Sequence, residues 1–271
     1  MMRSRVSGLT FLVLAPVVAI GVACAAPTLS ATQVVEKNIA ARGGAGAWRS
    51  VQTLSWSGKM QAGGNGQRYI KAPGVAPPVG AANTAPQLEL PFVLEMKRGR
   101  KQRLELEFDG QTAVQVFDGA RGWKVRPFLN RHEVEAFTAE ETKAAAIQAD
   151  LDGPLMDYAA KGTRIDLEGV ETVEGREAYK LRLTFKDKTV LHDWVDAQSF
   201  LEVKIEGSPR RLDGRDRAVF VYPRDYRAVN GLRIAHVLET TVQGVERVEK
   251  ITIEKVAVNP KLDDSRFTKP T

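Results

Sequence analysis

The sequence predicts a mainly β protein built on a one-sided antiparallel sheet, with a helical insert near its middle. Three observations carry this. From Leu88 to Val125 apolar residues recur at every second position: Leu88, Leu90, Phe92, Leu94 and Met96, then Leu104, Leu106 and Phe108 between Arg103, Glu105 and Glu107, then Val114 and Val116, then Trp123 and Val125. Strand side chains point alternately to opposite faces, so each segment offers one apolar and one wet face, unlike the continuous apolar runs of a buried parallel sheet. Turn signals such as Asp109-Gly110 and Asn230-Gly231 separate successive runs. Finally, the period lengthens after Thr138, from two residues to three and four.

In chain order, Ser30 to Ala41 reads as a helix. Ser30 and Gln33 have capping-box spacing, Val35 and Ile39 lie one turn apart, and Gly43-Gly44 is a stop signal. A short turn carries Trp48, and a first strand runs from about Thr53 to Met60. Gln61 to Pro86 is rich in Gly, Pro and Ala without periodicity and is expected to be a long loop. The central strands end near Phe128. Thr138-Ala139-Glu140-Glu141 is then a capping box, and Ala144, Ile147, Leu151, Leu155 and Tyr158 form one apolar stripe. Asp152-Gly153-Pro154 should break that helix, with Pro154 opening a second short one that ends at Gly162. Strands resume at Ile165 to Thr172 and continue through 178–186, 190–196, 201–207, 217–222, 232–242 and 245–256, giving about twelve in a meander.

The 271 residues, 43% of them hydrophobic, are enough to bury a core without a disulfide or metal, and the single cysteine, Cys24, agrees. Arg3 and Arg5, the apolar run Leu9 to Ala23 and Ala23-Cys24-Ala25 form a secretory signal peptide over residues 1–25. The apolar run is short for a membrane-spanning helix, which needs about 20 residues. Lipidation of Cys24 is the competing reading, since Gly21-Val22-Ala23-Cys24 partly matches a lipoprotein box; either way the chain leaves the cytoplasm. The formal net charge is +6, and the first 31 residues hold two of those positives and no acid. So mild an excess, without a recognisable binding module, excludes nucleic acid as the expected partner.

Catalytic signatures are missing from the sequence. His132, His192 and His236 lie in separate segments without a second ligand at metal spacing, so no metal is expected. There is no Gly-x-Ser-x-Gly elbow, and the Gly-rich run from Arg42 to Trp48 lacks the Lys-Ser/Thr of a phosphate loop. The carboxylate pairs Glu140-Glu141, Asp150/Asp152 and Asp263-Asp264 are neighbours one or two apart, which on a helix do not face each other, and a glycosidase needs two acids meeting across a cleft, a meeting that sequence does not show. No catalytic residue, cofactor or enzymatic activity is expected. Two basic clusters stand out: Lys97, Arg98, Arg100, Lys101 and Arg103 around Gly99, and Arg210, Arg211, Arg215 and Arg217 around a second turn. They read either as charged hairpin ends that keep sheet edges apart or as tips that meet anionic headgroups.

The N-terminal helix with its Gly43-Gly44 stop, the strands bearing Phe117-Asp118-Gly119 and Gly122-Trp123, and the helical insert form a familiar layout. With the signal peptide and the closing phrases Val229-Asn230-Gly231, Val256-Ala257-Val258-Asn259 and Asp264 to Phe267 followed by Pro270, the chain resembles the LolA/LolB-like superfamily of outer-membrane lipoprotein-sorting proteins over residues 32 to 271. The resemblance implies one domain over 32–271: an incomplete, strongly curved antiparallel β-barrel whose hydrophobic concavity is lidded by helices. It implies a monomeric periplasmic carrier for the acyl chains of a lipoprotein or lipid. An anionic membrane surface or inner- and outer-membrane Lol-type proteins would be its other partners. A lid-holding arginine is also implied, although no local motif assigns it. The expected lipid-binding wall is Trp56, Leu90, Phe92, Leu94, Leu106, Val116, Trp123, Leu181 and Leu183, with Ile147, Leu151 and Leu155 of the lid filling the site when it is empty. The rival readings are a structural or signalling protein with a packed half-barrel and, third, an envelope hydrolase.

Overall fold

The computed structural model describes residues 29–62, 88–127 and 130–271. The expected signal peptide, Cys24 and residues 63–86 of the expected loop lie outside them; Gln61 and Ala62 extend the first strand. Thirteen strands form one antiparallel sheet: β1 Thr53–Ala62, β2 Leu88–Lys97, β3 Lys101–Phe108, β4 Gln111–Phe117, β5 Gly122–Arg126, β6 Arg131–Ala136, β7 Arg164–Val173, β8 Arg176–Thr184, β9 Val190–Asp196, β10 Glu202–Leu212, β11 Arg215–Val229, β12 Leu232–Val242 and β13 Val245–Val258. Their order is β6-β5-β4-β3-β2-β1-β13-β12-β11-β10-β9-β8-β7, so the sheet is not closed and β6 and β7 are its edges.

Turn chemistry enforces this meander. Asp109-Gly110, Glu174-Gly175, Asp213-Gly214 and Asn230-Gly231 each have positive φ at both residues, the geometry whose twist matches the flanking strands. Where the first and last strands meet, the β1–β13 pairing shifts register between Ser57 and Gly58. A Cβ at Gly58 would sit 2.0 Å from the Thr252 carbonyl oxygen, so only glycine permits that close approach.

Helix α1, Ala31–Ala41, starts at the Ser30/Gln33 capping box, and α2, Ala45–Ser50, follows the Gly43-Gly44 break. Helix α3, Ala139–Gln148, begins at the Thr138/Glu141 box. Two expectations need correction. No second helix forms after Asp152-Gly153-Pro154: residues 154–162 are turns, because Asp157 adopts a positive φ of 49° and interrupts the run between Pro154 and Gly162. The strand β6 was not expected, since its Arg131, His132, Glu133 and Glu135 leave almost no apolar alternation, as suits a charged sheet edge.

Helices α1, α2 and α3 and the 149–162 turns lie on one face of the sheet, here the inner face. Val34 and Val35 of α1 pack with Leu155, Ile165, Leu181, Leu183 and Val195. Trp48 of α2 packs with Leu54, Met96, Leu151, Met156, Leu232 and Ile234. The outer face of β2 and β3 is covered by the C-terminal tail. Its 3-10 turn Asp264–Phe267 sits against β3, with Phe267 buried and Arg266 donating to Glu95 (2.5 Å) and Glu105 (3.4 Å).

Candidate functional site: the inner face and its lid

Residues paired across an antiparallel ladder share a face, so register decides which wall candidates meet. Trp56 pairs with Leu94, Met60 with Leu90 and Gly58 with Phe92; Phe92 pairs with Leu106 and Leu94 with Leu104. Trp56, Leu90, Phe92, Leu94 and Leu106 therefore line one continuous inner surface. Phe92 is buried, while the other four, with Met60 and Leu104, remain partly exposed. Leu181 and Leu183 are on the same side of β8, at 0% and 1% exposure beneath α1 and Leu155.

Val116 and Trp123 do not belong to this wall. They pair with each other, and Val116 pairs with Arg103, itself opposite Glu95, which places both on the outer face that the tail covers. The two-residue turn Asp109-Gly110 explains the inversion: it pairs even-numbered residues of β3 with odd-numbered residues of β4, so Leu106 and Val116 point to opposite sides. The inner residues of β4 and β5 are Ala113, Gln115, Phe117, Gly122 and Lys124, and α3 packs there. Lys124 donates to Glu141 of α3. The Phe137 ring lies so close over Gly122 that a Cβ there would overlap it, at 1.9 Å.

The segment from α3 to Thr163 runs from one sheet edge to the other and forms the lid. Leu151 fits over Leu54 and Met96, Leu155 over Leu181 and Leu183, and Ile147 lines a cavity of about 230 Å³ at the mouth. Burying each leucine contributes roughly 1.5–3 kcal/mol. A polar clamp that the sequence did not disclose holds the lid down. Arg98 donates to Asp152 Oδ2 (3.0 Å) and to the carbonyls of Trp48 and Val51 (both 2.6 Å). Arg42 stacks on Trp48 with its guanidinium 4.5 Å from the ring and donates to the Asp152 carbonyl (3.0 Å). Within the lid Lys161 reaches Asp150 (2.8 Å) and Asp152 (3.3 Å), and Arg49 of α2 pairs with Asp157 of the lid (2.5 Å). Burial pushes the Asp152 carboxyl up, but Lys161 and Arg98 outweigh it and leave the group below its ordinary value. Asp150 stays raised, its burial exceeding the pull of Lys161. The available signal was Asp152 itself, an acid inside an apolar stripe, which reads as a helix breaker until its partners are seen.

Beneath the clamp lies a second buried polar group. Arg42 is 3.7 Å from Glu202, and Tyr226 donates to the Glu202 carbonyl (3.1 Å). Asp193, 2% exposed, has its carboxyl pushed up to about 8 by burial and by Glu202, with Arg42 opposing. Two polar atoms on the inner face, Trp56 Nε1 and Gln102 Oε1, are buried without a hydrogen-bond partner. The basic clusters are largely used internally: Lys97 and Lys101 hold Asp264, Arg103 holds Glu105, Arg210 holds Glu249, and Arg211 sits near Asp216.

No family model and no curated protein matches this chain. Solved structures do. A LolA superfamily protein from Nitrosomonas europaea superposes with a TM-score of 0.56 at 13% identity, covering 89% of this chain and 99% of that one. The chain has the LolA-like fold. A putative outer membrane lipoprotein-sorting protein domain from Vibrio parahaemolyticus (TM-score 0.53, 14% identity, 88% and 96% covered) resembles it as well. So does a DUF1329 family protein from Desulfovibrio piger (0.55, 14%, 88% and 97%). As expected of an incomplete antiparallel barrel, the LolA-like sheet is open, with few helices among the described residues. Among the described residues no helix is long and apolar enough to cross a membrane.

Proposed function

We propose that this protein is a periplasmic carrier that shields the acyl chains of a lipid or lipoprotein on the inner face of its LolA-like sheet, without catalysis. The observation that carries the reading is the uneven cover of that face. Helices and lid bury Leu54, Met96, Leu181 and Leu183, while Trp56, Leu90, Leu94 and Leu106 continue the same apolar surface and stay partly exposed. An acyl chain in water exposes methylenes at about 0.8 kcal/mol each, so a lipid with several chains costs on the order of tens of kcal/mol unless covered. The half-covered wall supplies part of that cover at once, and the rest follows if the lid leaves Leu181 and Leu183. The unpaired Trp56 donor would meet an ester or amide carbonyl of a bound lipid, and the Gln102 acceptor an amide N–H, which offsets the cost of leaving them unpaired. The carrier reading is tested by mass spectrometry of lipids extracted from protein purified out of a bacterial envelope, together with uptake of a fluorescent fatty-acid probe. Co-purified lipid and saturable uptake are expected; neither appearing sinks it.

One observation favours a second reading, a structural or signalling protein with a packed half-barrel. The cavity at the mouth, about 230 Å³, is smaller than the roughly 300–1,000 Å³ of ligand pockets. The carrier reading therefore requires the lid to move, and the probe experiment separates the two.

A further inference from the structure

The cavity at the mouth of the LolA-like sheet has a charge pattern that acyl shielding does not explain. It lies between α3, the turns that follow it, the β8–β9 connection and the β2–β3 hairpin tip. Ile147 and Phe185 give it apolar walls, and Arg100, Lys143, Lys161 and Lys186 bring four cations to it. Two acids also line it, and both are occupied. Asp150 is held by Lys161 at 2.8 Å, and Asp187 accepts from the Thr189 backbone N–H (3.0 Å) and hydroxyl (2.9 Å). No salt bridge among the described residues holds Arg100, Lys143 or Lys186, although the Lys143 charge helps hold the Asp187 carboxyl below its ordinary value, so four cations face two acids and the opening keeps a positive excess. Three neighbouring cations repel one another, and beside an apolar wall they are stabilised by an anion that carries hydrocarbon.

We propose that this cavity receives the anionic headgroup of a lipid, a phosphate or carboxylate, while the attached chain follows Ile147 and Leu151 onto the inner face. Ile147 lines the cavity, and Leu151, one turn further, lies in the cluster over Leu54 and Met96, so the two sites are contiguous along the lid. This rests on the acyl-carrier reading and adds a charge preference to it. Arg100, Lys143 and Lys186 supply charge-assisted hydrogen bonds, and the lid carries one of them, so headgroup binding and lid position are coupled.

The test uses three probes on the full mature chain, each below its micelle concentration where one exists: dodecyl phosphate, the uncharged dodecyl maltoside and inorganic phosphate. Titration calorimetry on the wild type should give dodecyl phosphate an affinity about tenfold above dodecyl maltoside, as expected for hydrogen bonds to a charged group, with inorganic phosphate silent. In the Lys143→Gln, Lys186→Gln double variant the preference should shrink to within about twofold, and added salt should shrink it in the wild type. Both lysines are exposed, and a thermal melt confirms that the variant folds. Equal affinity for the two amphiphiles overturns the headgroup site and leaves the carrier reading standing. Binding of neither overturns both. A preference that survives the double substitution, or inorganic phosphate binding as tightly as dodecyl phosphate, also overturns the proposal.

Discussion

Asp193 shows what a single side chain contributes here. On β9 it faces the lid-bearing side, where Leu181 is its partner across the ladder on one side and Ile205 on the other. Its carboxyl is pushed up to about 8 from an ordinary 3.8, chiefly by burial. Below pH 4 folded and unfolded chains both hold that proton, so the group costs nothing. As pH rises to about 8 the unfolded chain gives up the proton while the folded one keeps it, and stability falls by about 1.4 kcal/mol per pH unit at most. Thermal melts should therefore show the wild type losing stability between pH 5 and pH 8 relative to Asp193→Asn, whose amide does not titrate. Parallel curves for the two proteins would refute this. Nothing in the local sequence His192-Asp193-Trp194 announces the behaviour, because it depends on Glu202 and Arg42, which other elements bring to the same spot.

At the scale of elements the sequence was readable wherever the cause is local. The Ser30/Gln33 and Thr138/Glu141 boxes open α1 and α3 as their spacing implies, and the Asp-Gly, Glu-Gly and Asn-Gly pairs turn the strands they separate. Facing is also partly written there: a two-residue turn inverts parity, so Asp109-Gly110 puts Val116 on the face opposite Leu106. The lid clamp was not legible, because Arg98 and Arg42 converge on Asp152 from other elements, where Lys161 of the lid itself joins them. Removing one partner of a buried pair costs about 3–5 kcal/mol, and less here because Arg98 and Lys161 keep part of their hydration. Asp152→Ala should lower stability by about 2 kcal/mol and speed hydrogen exchange across residues 149–162 more than in α1. Unchanged exchange in the lid would show that leucine burial, not the clamp, keeps it closed.

Across the whole molecule, the two faces of one open sheet are covered differently. The outer side of β2 and β3 is sealed by the tail, through Arg266 on Glu95 and Glu105 and through Phe267 at 1% exposure. Among the described residues, the inner side is sealed where α1, α2 and the lid reach, and the surface holding Trp56, Leu94 and Leu106 continues beyond them. If that surface is where acyl chains lie, substitutions on the two faces should have opposite signatures. Phe267→Ala removes a fully buried ring and should cost about 3–5 kcal/mol in a denaturant titration, with fatty-acid probe affinity per folded molecule unchanged. Leu106→Asp puts a charge on a partly solvated inner position and should cost under about 1.5 kcal/mol in stability. It should weaken probe binding at least tenfold, because a carboxylate desolvated against hydrocarbon has no partner there. Measured together, the two variants test the assignment of faces and of function at once. Were Leu106→Asp to bind the probe like the wild type, the inner wall would be ordinary core left incompletely covered, and the open sheet would need another explanation.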